Sequence, residues 1–200
     1  MLSRLFDILG WNLRTIIFLL ITLGWWSEFI WAPSSKRDRS VVKEAEKRSF
    51  YFIGLAIPVS ILTGIALRVI GIGNFSVDHL TWLQWLSVVV YLIGLTIRSW
   101  SLRLLGKYFS RNVEVESEQD LVGSGPYRIL RHPSYLGLFL LTLGVLLFIA
   151  NLIGIVIVFP VMLIALSYRM KIEEQMMLDN VGKEYERWRR KRYKIIPYIY

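Results

Sequence analysis

Of the chain's 200 residues, 54% are apolar or aromatic and 20% charged, whereas an ordinary soluble domain is about 25% charged and roughly 45–50% apolar with glycine included. Its 14 glycines fall outside that apolar count, and it carries 8 Trp, 10 Tyr and 10 Phe, so there is more apolar surface than a soluble core can hide and a supply of aromatics suited to membrane interfaces. With no Cys and only His79 and His132 as histidines, the inventory excludes disulfides, thiolate nucleophiles and a multi-histidine metal centre, and no metal is expected.

Four long apolar tracts follow in chain order, over residues 11–31, 50–70, 80–105 and 135–168. The first starts like a signal peptide, with Arg4 before the apolar run. It ends in Gly24-Trp25-Trp26-Ser27-Glu28 with no small-residue cleavage site, which makes it a retained span. The fourth holds 34 consecutive residues without Asp, Glu, Lys, Arg or His. As one helix it would run roughly 51 Å, far beyond a hydrocarbon core of about 30 Å. It is better read as a tight helical hairpin turning near Asn151 and Gly154. The expectation is an all-α integral membrane protein of five transmembrane helices, the last two forming the hairpin. Residues 1–105 would supply three N-terminal helices, and residues 106–200 a catalytic region.

Charge fixes the expected orientation. Six basic residues lie in 32–49, five in 103–131 and nine from Arg169 onward, so a five-span chain puts 20 of its 24 Lys and Arg on one face. The loop over residues 71–79 has none. The N-terminus is therefore expected outside and the C-terminus in the cytosol. The net charge of +9 comes largely from Arg187-Trp188-Arg189-Arg190-Lys191-Arg192-Tyr193-Lys194. Because this run follows a membrane segment directly, anionic lipid at the basic tail explains it with fewer assumptions than nucleic acid, and no nucleic-acid partner is expected.

Two polar clusters carry the chemical signal. Between the third and fourth spans, a polar stretch ending Gln119-Asp120-Leu121-Val122 leads into Gly123-Ser124-Gly125-Pro126-Tyr127, then Arg131-His132-Pro133-Ser134-Tyr135. Pro133 suits the first position of a helix and biases His132 to extended backbone, which puts His132 at the lip of the fourth span. Taken singly, Arg131, His132 and Tyr135 suit a helix anchor and an aromatic belt. The Gly-Ser-Gly turn lacks a third glycine and a preceding strand, so it is not a dinucleotide fingerprint. The second cluster, Arg169-Met170-Lys171-Ile172-Glu173-Glu174, puts Arg169 and Glu173 at i and i+4. That spacing alone is compatible with a weak surface ion pair. The hairpin, however, returns both clusters to one membrane face, where they meet over an apolar bundle.

Gly125-Pro126-Tyr127-Arg128, then Arg131-His132-Pro133-Ser134-Tyr135-Leu136-Gly137, an apolar hairpin, and Arg169 followed by Glu173-Glu174 together resemble the isoprenylcysteine carboxyl methyltransferase family. Gly182-Lys183-Glu184-Tyr185 and Trp188 resemble its C-terminal end, and the related phospholipid N-methyltransferases carry a similar tail. The resemblance covers roughly the last 90 residues and is to the short prokaryotic members, without the extra N-terminal helices of eukaryotic ones. It implies that S-adenosyl-L-methionine is held at the cytosolic face by Gln119, Asp120, Leu121 and Val122, by Tyr127, by His132, Pro133, Ser134 and Tyr135, and by Glu173. It implies that Arg169 orients the carboxylate of a prenylated cysteine or similar lipophilic acceptor entering from the bilayer. Gln119 and Asp120 depart from the His-Thr common in the eukaryotic enzymes.

The implied chemistry fits the inventory. An acceptor carboxylate is already ionised at neutral pH, so it needs no general base. The protein must supply alignment and water exclusion, and an Arg fork matches a carboxylate. A phospholipid amine is the rival acceptor, with Arg169 then serving a phosphate. An NADPH-dependent sterol reductase is a second class, weakened by the lack of a basic cluster beyond Arg128 and Arg131 for a 2′-phosphate. A non-catalytic membrane scaffold is a third, in which the paired motifs are coincidental.

Overall fold

The computed structural model describes residues 13–26, 44–106 and 121–196, and these are helical almost throughout. The elements are α1 (Leu13–Trp26), α2 (Glu44–Ile70), α3 (Val77–Leu105), a 3-10 turn (Gly125–Arg128), α4 (Pro133–Ile149), α5 (Leu152–Val181) and α6 (Lys183–Arg189). Three helices are long and apolar enough to cross a membrane, over Tyr51–Ile70, Leu80–Leu105 and Leu152–Val181, and two shorter apolar helices cover Leu13–Leu23 and Pro133–Ile149. Their outward faces are greasy: Leu20, Leu23, Leu55, Leu62, Val156 and Ile164 are 62–66% exposed. An apolar surface of that extent suits lipid rather than water, and the chain is an integral membrane protein. α2 begins at Glu44, so the end of the basic segment is already the first turn of a membrane helix.

The 135–168 tract does break into two helices joined by a short turn, but the arms pack less on each other than on other helices, α4 on α3 and α5 on α2. α4 stops at Ala150, which adopts the left-handed conformation at φ 55°, and Asn151 opens α5 by accepting a hydrogen bond from the Gly154 amide at 2.7 Å. That side-chain cap satisfies one of the free N–H groups of a new helix. The turn docks on the α2–α3 loop: Asn151 Nδ2 donates to the Ile72 carbonyl at 2.7 Å and to Asn74 Oδ1 at 2.9 Å, and the Leu152 amide donates to the Gly73 carbonyl at 2.8 Å. At this end of the bundle, Asn151 and Leu152 of one turn are thus tied to Ile72, Gly73 and Asn74 of the other.

Packing falls into two tight pairs, α3 with α4 and α2 with α5. The first pair closes on glycines. A Cβ on Gly94 would lie 2.8 Å from the Leu141 backbone nitrogen, and one on Gly137 would lie 2.6 Å from the Arg98 Cβ. Small residues let helix backbones approach this closely where lipid offers no hydrophobic drive between helices. The core of the second pair is Ala56, Met162, Ala165 and Leu166, while Phe18 of α1 joins α3 and α4 by stacking on Phe148 at 4.2 Å and meeting Tyr91 edge-on. α5 does not end with its apolar part. It continues as one helix through Arg169, Glu173 and Glu174 to Val181, and this overhang carries the second polar cluster past the end of α4.

Candidate active site

Pro133 is the first residue of α4 and His132 its N-cap, as the proline geometry leads one to expect, although the His132 backbone, at φ −128° and ψ 57°, is not extended. The His132 ring is 5% exposed and faces the α5 overhang, with Nε2 3.0 Å from Glu174 Oε1. The same carboxylate oxygen accepts from Arg131 Nη1 at 2.9 Å. On the other side of the ring, Nδ1 lies 3.8 Å from Glu173 Oε2. That Glu173 oxygen is buried and has no hydrogen-bond partner among the described residues. Two adjacent glutamates thus take different parts. Glu174 is shared by Arg131 and His132, whereas Glu173, its side chain 32% exposed, presents an oxygen that no described residue hydrogen-bonds and that a ligand can meet.

Arg169 is not a surface residue. Its side chain is 4% exposed; Nε donates to the Tyr135 hydroxyl at 3.3 Å and Nη1 to the Ser49 hydroxyl at 2.8 Å. The guanidinium is thereby fixed at the junction of α2, α4 and α5, one turn below Glu173. Tyr135 also stands beside the His132 ring, at 5.7 Å between centroids.

Tyr127 and Ser134 close the side toward α3. Arg98 of α3 donates to the Ser134 carbonyl at 3.3 Å. Burial first, and the Glu173 carboxylate second, push the Tyr127 phenol well above its ordinary range, with the Ser134 hydroxyl and Arg98 pulling the other way. Tyr185 of α6 is pushed up likewise, by burial and then by Glu174 and Glu173. Both phenols therefore stay neutral near Glu173 at physiological pH and keep their capacity to donate.

The turn before Tyr127 is held from the C-terminal tail. Trp188 Nε1 donates to the Val122 carbonyl at 3.1 Å, and Arg192 Nε to the Tyr127 carbonyl at 2.6 Å. Backbone pairing continues the attachment: the Tyr193 amide donates to the Ile129 carbonyl at 2.9 Å, the Arg131 amide to the Tyr193 carbonyl at 2.8 Å, and the His132 amide to the Lys194 carbonyl at 3.1 Å.

The structure thus gathers Val122, Tyr127, His132, Pro133, Ser134, Tyr135, Arg169 and Glu173 at one end of the bundle, with Leu121 entering the same turn. Gln119 and Asp120 lie outside the described residues. Ser49, Arg98, Glu174 and Arg192 were not anticipated as parts of the site. Glu174 had a signal, its place beside Glu173. Ser49 had none, since its partner Arg169 lies 120 residues away. Part of the basic tail also turns inward, because Arg192 packs on the Trp188 ring at 4.3 Å instead of facing solvent.

Comparison with known proteins matches residues 85–179 to the model of the isoprenylcysteine carboxyl methyltransferase family. The protein-S-isoprenylcysteine O-methyltransferase of Saccharomyces cerevisiae is 32% identical over 116 residues, covering 57% of this chain and 48% of that protein. Protein-S-isoprenylcysteine O-methyltransferase B of Arabidopsis thaliana is 24% identical over 200 residues, covering 99% of this chain and 100% of that one. The chain spans about half the length of the yeast relatives it matches. Among solved structures, that of a eukaryotic intramembrane Ras methyltransferase superposes with a TM-score of 0.65 at 21% identity, covering 98% of this chain and 68% of that one. At that identity the superposition shows a shared fold.

Proposed function

We propose that this chain, which over residues 85–179 belongs to the isoprenylcysteine carboxyl methyltransferase family, is a five-span, S-adenosylmethionine-dependent methyltransferase acting on the carboxylate of a prenylated cysteine or similar lipophilic acceptor. One observation carries the reading. A buried carboxylate oxygen on Glu173, with no hydrogen-bond partner among the described residues, stands beside His132, one turn from a buried, fixed guanidinium on Arg169. An acceptor for a cationic, amino- and hydroxyl-bearing donor and a fork for an anionic acceptor stand side by side at the end of an apolar bundle.

The residues fit S-adenosylmethionine. Glu173 would accept from its amino or ribose groups, the 121–127 turn with Tyr127 and Ser134 would enclose it, and Tyr135 and His132 would line it from α4. When bound, it supplies an electrophilic methyl group on sulfonium. The acceptor carboxylate is ionised at neutral pH, so no side chain has to remove a proton. Arg169, preset by Ser49 and Tyr135, holds that carboxylate and aligns one oxygen with the methyl group. The apolar walls of α4 and α5 exclude water, and alignment and dehydration are the terms worth most in such a transfer.

The test has two steps. In detergent, S-adenosylhomocysteine should raise the melting temperature and NADPH should not, since only a ligand that binds the native state stabilises it. Labelled methyl groups from S-adenosylmethionine should then appear in a farnesylcysteine analogue and be released by base, as an ester requires. Arg169→Ala should keep S-adenosylhomocysteine binding and lose most turnover. Arg169→Lys should rescue poorly, because an ammonium keeps the charge without the fork. Stabilisation by NADPH alone would replace the reading with a reductase. Methylation of phosphatidylethanolamine in place of the carboxylate would keep the methyltransferase and change its acceptor.

A further inference from the structure

The 121–127 turn has little to hold its own shape. It contains Gly123 and Gly125, it is exposed at Gly123 and Ser124, and its only regular element is the four-residue 3-10 turn. Besides the packing of Gly125 on Trp100 and Leu104 of α3, its two ends are held from the C-terminal tail by one side-chain pair. The Arg192 guanidinium donates through Nε to the Tyr127 carbonyl at 2.6 Å and through Nη1 to the Trp188 carbonyl at 2.7 Å, and its Cζ lies over the Trp188 ring, 4.3 Å from the centroid. Trp188 itself donates to the Val122 carbonyl at 3.1 Å. Both ends of the turn are thus gripped by a single stacked unit. Gly123 leaves room for it, since a Cβ there would come within 3.0 Å of Arg192 Nη2.

We infer that Arg192, stacked on Trp188, is a positioning residue for the methyl donor, setting through the Tyr127 and Val122 carbonyls the turn that receives S-adenosylmethionine. The inference rests on the reading of that turn as the donor's cradle. Arg192 differs in kind from its basic neighbours: Arg190 is 75% exposed and, among the described residues, its side chain pairs with Glu186 alone, on the adjoining helix. Arg192 is drawn into the protein, and burial pulls its guanidinium below its ordinary range. Its role is separable from docking of the tail, because residues 193 and 194 attach to 129–132 through main-chain bonds that no side-chain change removes. Lysine cannot replace it, for one ammonium cannot bond two divergent carbonyls while lying over an indole.

The experiment is calorimetric titration of S-adenosylhomocysteine into the purified full chain and its variants, with methyl-transfer kinetics on the farnesylcysteine analogue. Arg192→Ala should weaken S-adenosylhomocysteine roughly tenfold and raise the KM for S-adenosylmethionine to match, because a turn no longer preset must be ordered when the donor binds. The kcat at saturating donor and the KM for acceptor should stay within about twofold. Arg192→Lys should recover little. Trp188→Phe, which keeps an aromatic face and removes the N–H, should show the same split in milder form. Arg190→Ala should match the parent. Unchanged affinity in Arg192→Ala overturns the inference, as does a parallel fall in kcat and acceptor affinity, which would mark a merely structural role. A parent protein that binds no S-adenosylhomocysteine overturns the methyltransferase reading itself, and this is a different result.

Discussion

Glu173 and Glu174 occupy consecutive positions on α5, and the difference between them shows how the site divides its charges. A helix turns about 100° per residue, enough to point one carboxylate at Arg131 and His132 and leave the other aimed past the His132 ring with a bare oxygen. Removing each should therefore produce opposite signatures. Glu173→Ala should cut S-adenosylhomocysteine affinity roughly ten- to a hundredfold with only a small change in melting temperature, because its partly exposed carboxylate has only the 3.8 Å contact with His132 to lose on that oxygen. Glu174→Ala should strip Arg131 and a buried imidazole of their shared carboxylate at a cost of about 3 kcal/mol, visible as a lower melting temperature with and without ligand. Calorimetry and thermal denaturation on both variants check this, and equal loss of affinity in both with equal melting temperatures contradicts it. That a glutamate shares a face with Arg169 beyond the apolar part of α5 was legible from the Arg169–Glu173 spacing. The division of labour was not, because it depends on which way α4 delivers His132, and that is a tertiary fact.

At the scale of helices, the hairpin was legible because a 34-residue uncharged tract is too long for one crossing, and its turn at Ala150–Asn151 falls where the only polar side chain between Thr142 and Ser167 sits. The α3–α4 contact was not legible. Glycines at 94, 137 and 144 look like ordinary membrane-helix glycines until their partners are known. Each proves to be a point where one backbone lies against a neighbouring helix, with Gly144 facing Tyr91. Gly137 also lies one turn after Pro133, so the spacing of this pair sets where Ser134 meets Arg98. Gly94→Ala should therefore force backbone apart, at about 1–3 kcal/mol, and reduce donor affinity through the shifted α4 terminus. Gly54→Ala, on α2 with nothing within 4 Å, should be neutral or slightly stabilising, since alanine is the better helix former. Detergent melting curves of the two variants make the comparison, and equal effects would mean the close approach has no energetic role.

Across the whole molecule, the two turns without Lys or Arg in their loops meet each other, while the polar clusters and the strapped tail lie at the other end of the same helices. Asn74 pairs with Asn151 at one end, and Val122, His132, Glu174 and Trp188 come together at the opposite one. The basic residues follow the second end, since the tail after Arg169 and the 121–131 segment both belong to it. In the proposed orientation, which rests on the positive-inside rule, that end and the proposed donor site with it face the cytosol, where a charged donor is available. Because the chain has no Cys, single cysteines report orientation without background. Ser76→Cys lies in the exposed α2–α3 loop and removes no side-chain cap, and Lys191→Cys lies on the exposed part of the tail. A membrane-impermeant maleimide applied to intact cells, or to right-side-out vesicles, should label Ser76→Cys at once and Lys191→Cys only after the membrane is opened. The reverse pattern would turn the molecule over and leave its donor site facing away from the donor. Labelling of both from one side would break the bundle's end-to-end arrangement, and with it the five-span topology.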